Sequence, residues 1–139
     1  MTAEMLAPQS IRLRVCVVSI SGSDAQGFLE AVGLPPDCKK NGTALICKRN
    51  KRYTIRFELE DRTSSGLMFS DEDPFYADEG FECPPDGSTG FPDAFSDLQT
   101  DEHSLSVEYR SRGEQYSYGL KFDGRGGSCY FDPIIINRF

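Results

Sequence analysis

The sequence predicts an all-β fold: an antiparallel β-sandwich of about seven strands, immunoglobulin-like or cupredoxin-like in shape, with one short helix and a long acidic loop. Three observations lead there. Apolar and polar residues alternate with period two through most readable segments, turn signals rich in Gly and Asn separate them, and Gly and Pro supply 13 and 8 of the 139 residues. The length suits one domain over residues 1–139, with a flexible N-terminus over 1–10 and the acidic loop over 70–101. A closed barrel is the competing arrangement.

The elements follow in order. Ile11, Leu13, Val15 and Val17 fall on one face and Arg12, Arg14 and Cys16 on the other, a first strand ending at Ser21-Gly22-Ser23. Asp24 to Val32 reads as the helix, with Asp24 as N-cap, Gly33 as C-cap and Pro35-Pro36 beyond. Thr43 to Lys48 is a short strand after an Asn41-Gly42 turn signal. The cleanest alternation sets Tyr53, Ile55, Phe57 and Leu59 against Thr54, Arg56, Glu58 and Glu60. Gly66 to Phe69 is a brief strand, and Ser70 to Thr100 is irregular. Ser104 to Arg110, Tyr116 to Phe122 and Cys129 to Asn137 complete the sheets, joined by turns at Arg112-Gly113-Glu114 and Gly124-Arg125-Gly126-Gly127.

Met1 to Ser10 carries neither a basic nor an apolar leader region, and no apolar run approaches the roughly 20 residues of a membrane span, so a cytoplasmic protein is expected. Five cysteines (Cys16, Cys38, Cys47, Cys83, Cys129) form no Cys-x-x-Cys pair, and an odd count in that compartment reads as reduced thiols. Cys38 and Cys47 flank the Asn41-Gly42 turn and are the pair expected to bridge in an oxidising compartment.

Phe57-Glu-Leu-Glu-Asp-Arg-Thr-Ser-Ser-Gly66-Leu-Met-Phe69 and Tyr130-Phe-Asp-Pro-Ile-Ile-Ile-Asn-Arg138 resemble the signatures of the small bacterial DP-EP family, over Tyr53 to Phe139 with a gap at the acidic segment. The resemblance implies a bacterial β-sandwich and brings no catalytic residues with it. The Asp132-Pro133 pair has its own physical reading: proline lacks the N–H of a ladder, so Pro133 should break the strand and let it change partner.

Charge is unevenly distributed. Fifteen Lys and Arg stand against 22 Asp and Glu, a net −7 that repels nucleic acid and anionic lipid. From Lys39 to Arg56 there are seven bases (Lys39, Lys40, Lys48, Arg49, Lys51, Arg52, Arg56) and no acid; from Asp71 to Glu108 there are twelve acids and no base. Segregation of this kind makes a docking surface for a protein partner or for a second copy of the chain, with a solvated surface loop as the plainer alternative. The residues expected to carry such contact are Asp71, Glu72, Asp73, Phe75, Tyr76, Asp78 and Glu79 on one side and Lys48, Arg49, Lys51 and Arg52 on the other. Phe75 and Tyr76 serve as contact anchors if exposed and as core if buried.

Chemistry finds little footing. His103 is the single histidine, and no Gly-x-Ser-x-Gly elbow surrounds a serine, so a nucleophilic triad lacks its parts. Gly124 to Gly127 lacks the Lys-Ser/Thr of a phosphate loop. Asp71, Glu72, Asp73, Asp78, Glu79 and Glu82 offer calcium oxygens without an EF-hand loop. The reading is therefore a non-enzymatic interaction or self-assembly module, a homo-oligomer among its forms, with no cofactor, metal site, nucleic-acid partner or membrane partner. A calcium- or carbohydrate-binding module is the alternative.

Overall fold

The computed structural model describes residues 7–41, 44–79, 95–111 and 116–138. Eleven strands run in chain order: β1 (Gln9–Ser21), β2 (Asp24–Gly33), β3 (Cys38–Asn41), β4 (Ala44–Cys47), β5 (Lys51–Asp61), β6 (Met68–Phe69), β7 (Phe75–Glu79), β8 (Phe95–Thr100), β9 (Ser104–Ser111), β10 (Tyr116–Gly124) and β11 (Gly127–Arg138). They form one mixed sheet. Eight strands lie in the order β3-β4-β11-β2-β1-β5-β9-β8, and β10 attaches to β11 and carries β6 and β7. The two ends of this sheet curl toward each other until the Phe75 ring of β7 lies 5.3 Å from the Phe95 ring of β8. The result is a nearly closed, barrel-like sheet.

This corrects the expected seven-strand antiparallel sandwich and its immunoglobulin-like shape. Pairings β1–β5, β11–β2 and β11–β4 are all parallel, the first running in register from Gln9↔Tyr53 to Val17↔Asp61. Alternation records which face a residue takes and is blind to strand direction, so the pattern could not distinguish the two. The expected helix at Asp24 to Val32 is strand β2. Gly22, at φ 62, takes the first central place of a two-residue turn and returns the chain along β1 from Ser21↔Asp24 to Arg12↔Gly33. β1 is long enough to give every residue of β2 except Val32 a ladder partner, and that outweighs a local helix of two turns. Within the expected acidic loop, β7 and β8 are strands; the turns expected at Asn41-Gly42 and at Arg112-Gly113-Glu114, the segment 80–94 and residues 1–6 lie partly or wholly outside the described residues.

The interior follows the alternation closely. Ile11, Leu13, Val15 and Val17 of β1 and Tyr53, Ile55 and Phe57 of β5 have no exposed surface. They meet Leu105, Val107 and Tyr109 of β9 and Tyr118, Leu120 and Phe122 of β10. Rings dominate one side: Phe57 lies 5.6 Å from Tyr118, and Phe75 lies 5.5 Å from Tyr118. Pro133 sits where β11 bulges, since Tyr118↔Ile134 is followed by Leu120↔Phe131. On its other side β11 leaves β2 at Tyr130↔Asp24 and joins β4 at Ile135↔Ala44. A residue without an N–H fits that change of partner.

Candidate functional site

The β5–β9 ladder fixes the spacing of the charged segments. It runs antiparallel from Lys51↔Ser111 to Glu58↔Ser104, seven residues or about 24 Å. Lys48 and Arg49 are exposed in the turn leading into its first end, where the Asn50 N–H donates to the Ser111 carbonyl. At the far end the Leu59 N–H donates to the His103 carbonyl and the Phe69 N–H to the Glu102 carbonyl, each at 2.9 Å. Those bonds bring the Asp71–Asp73 turn beside the β8–β9 turn, so Asp71, Glu72, Asp73, Asp101 and Glu102 are exposed together. Between the two turns lies an open cleft of about 460 Å³, lined by Met68, Asp71, Leu98, Asp101 and Glu102 among others. Met68 is 40% exposed there, an apolar floor among carboxylates. The Asp101 carboxyl is held below the usual aspartate range, first by the Ser104 side chain and then by the His103 N–H, so it stays ionised.

The expected contact residues divide among different roles. Asp71, Glu72 and Asp73 are exposed, and Lys48 and Arg49 are exposed opposite them. Phe75 is 3% exposed and belongs to the core, so it is no surface anchor. Tyr76 is half-buried, its ring at 6.2 Å from that of Tyr130 and packed over Gly119. Asp78 and Glu79 lie on β7 opposite Ser117 and Tyr116 of β10, which carries the acidic run back toward the β4 side of the sheet. Lys51 is half-buried. Arg52 pairs with Glu108 across the β5–β9 ladder at 3.4 Å, so the acidic run neutralises part of the basic one internally. Lys48 Nζ stands 3.5 Å from the Asp37 carboxylate, which also accepts from the Gln9 side chain at 2.8 Å.

Sequence reasoning gave neither Met68 nor Leu98 a part in contact, and took Asp101 and Glu102 into the acidic run without assigning them to the contact surface. The Phe69 N–H bond to the Glu102 carbonyl joins the two turns, and the Ser70 N–H bond to the Lys121 carbonyl ties the first of them to β10. His103 is exposed in the β8–β9 turn, its main chain held by Asp101 and Leu59. Among the described residues no three His, Cys, Asp or Glu side chains gather in a way that could hold a metal ion. No helix among them is long and apolar enough to cross a membrane.

No family model and no curated protein matches this sequence. The resemblance to the DP-EP family therefore finds no support, and its two short motifs have local explanations in the Asp61–Leu67 loop and the β11 bulge. Among solved structures, the chain is similar to the PixA inclusion body protein from Burkholderia cenocepacia J2315, with a TM-score of 0.51 at 10% identity, covering 97% of this chain and 98% of that one. That likeness, end to end and at very low identity, is one of fold.

Proposed function

We propose that this protein is a non-enzymatic module that associates with copies of itself, the Lys48–Arg49 turn of one molecule entering the acidic cleft of the next. The observation that carries this reading is the placement of an exposed basic turn and an exposed acidic cleft at opposite ends of one rigid ladder, about 24 Å apart. Met68 and Leu98 offer the methylene stem of a Lys or Arg an apolar surface, while Asp71, Asp101 and Glu102 meet its charged head. Because donor and acceptor surfaces differ, the contact is head-to-tail, and it builds open chains unless rotation closes a ring. The structural relative's description as an inclusion body protein agrees with self-association.

Size-exclusion chromatography with light scattering tests it. At low salt the mass is expected to rise with concentration, and to fall toward the monomer as salt shortens the screening length to a few Å. Replacing Lys48 and Arg49 with Glu should abolish association, and so should replacing Asp71 and Glu102 with Lys; mixing the two variants should restore a complex. A wild-type chain monomeric at every salt and concentration overturns the reading.

A further inference from the structure

The β3–β4 hairpin holds two thiols face to face. Cys38 and Cys47 are direct partners in the antiparallel register, and their sulfurs are 3.4 Å apart. The neighbouring pair is joined by the main chain, the Lys48 N–H donating to the Asp37 carbonyl, while the Cys38 N–H turns away to the Pro35 carbonyl. Cys38↔Cys47 is therefore a non-hydrogen-bonded pair, in which Cα atoms stand about 4.5 Å apart and side chains approach most closely. That separation lies at the short end of the range a disulfide spans. Among the described residues β3 is also an edge strand paired to β4, and Cys38 is the one buried residue of its four, so β3 can fray from β4 locally.

We infer that Cys38 and Cys47 form a reversible dithiol–disulfide site whose co-reactant is a small-molecule disulfide. Cys38 is the attacking thiol. Its thiolate is favoured first by the Cys47 S–H and, to a lesser degree, by the Tyr53 hydroxyl, which together outweigh burial and the nearby Asp37 carboxylate, while the Cys47 thiol is pushed up by its bond to Cys38 and by burial. Cys38 is also the more accessible of the two, 6% exposed against none. In the first step the Cys38 thiolate attacks one sulfur of the small disulfide, forming a mixed disulfide and releasing one thiolate, which takes up a proton. In the second, Cys47 gives up its proton and attacks the Cys38 sulfur, closing the Cys38–Cys47 bond and releasing the second small thiol. The two cysteines lose two hydrogens and two electrons, and the small disulfide gains both. Among the described residues Cys16 and Cys129 are buried with no thiol beside them, Cys129 pushed up to about 11 by burial, and they stay reduced. The site stands apart from the acidic cleft and does not depend on self-association.

The test incubates the folded full chain with oxidised glutathione, quenches with acid, alkylates remaining thiols and maps peptides by mass spectrometry. A Cys38–Cys47 cross-linked peptide is expected, reversed by dithiothreitol, with Cys16 and Cys129 alkylated. In Cys47→Ser the mixed disulfide with glutathione should accumulate on Cys38, and in Cys38→Ser the bridge should vanish. Wild-type mapping decides by itself if a variant misfolds. The inference is overturned if Cys38 and Cys47 are recovered alkylated from folded protein, if the glutathione adduct persists on the wild type, or if the bridge forms only in urea.

Discussion

Asp61 shows how one side chain organises a loop. Its carboxylate accepts from the Thr63 N–H at 2.8 Å, the Thr63 hydroxyl at 2.5 Å and the Leu67 N–H at 3.0 Å, so the chain leaving β5 is tied back before β6 begins. Burial pushes its pKa up, but those donors outweigh it and hold the group below the usual aspartate range. A depressed folded pKa contributes fully above the unfolded value of about 3.9 and is lost as pH falls through the folded value. Asp61→Ala is expected to cost about 1–3 kcal/mol in urea melts at neutral pH, with a smaller deficit in acid. An equal deficit at both ends of the pH range would contradict this account. Tyr118 presents the opposite case. It has no exposed surface and its hydroxyl meets no hydrogen-bond partner among the described residues, so Tyr118→Phe should hold or raise stability, by up to roughly 1 kcal/mol. A lower melting temperature would reveal a partner for that hydroxyl.

At the scale of elements, near-closure of the sheet depends on rings more than on main-chain bonds. Among the described residues β8 pairs with β9 and β7 with β10, and what spans the gap is Phe95, 5.3 Å from Phe75 and 5.0 Å from Tyr109. Phe95→Ala is expected to cost about 3–5 kcal/mol and to speed amide hydrogen exchange in both β7 and β8. Faster exchange confined to β8 would show that the two edges are not coupled. The β1–β2 hairpin makes a tighter demand. A Cβ on Gly27 would collide with the Cys16 carbonyl, so Gly27→Ala should destabilise by on the order of 1–3 kcal/mol, read by thermal melting. That contact also explains why β2 reads poorly as a strand: its middle is a glycine pressed against β1, and its largest residue, Phe28, lies on the outer face, 41% exposed.

Across the whole molecule, charge acts on two levels that salt should separate. The outer face of β2, β1 and β5 carries Arg14–Glu30 at 2.7 Å and Arg12–Glu58 at 3.0 Å, ion pairs with substantially exposed side chains. Exposed pairs contribute little to folding, so Arg12→Ala is expected to change stability by less than about 1 kcal/mol. A loss well beyond that would assign the ladder a structural role. Association through the acidic cleft, in contrast, should respond steeply to salt while the melting temperature hardly moves.

How far the sequence reaches follows from these cases. Alternation alone determined the inward faces of β1, β5 and β9, since burial on one side of a pleated strand leaves a period of two whatever its neighbours are. It also determined that acids and bases lie in separate stretches. Tertiary structure decided the rest: that β1 and β5 run parallel, that Asp24–Gly33 is a strand, that Phe75 is core, and that Glu108 of the acidic run neutralises Arg52. The acidic cleft arises where distant segments share a hydrogen-bonded row, whereas the thiol pair, already suggested by the Asn41-Gly42 turn signal, meets through the register of the β3–β4 hairpin. Such rows are set by register and strand direction, which a pattern of faces does not record.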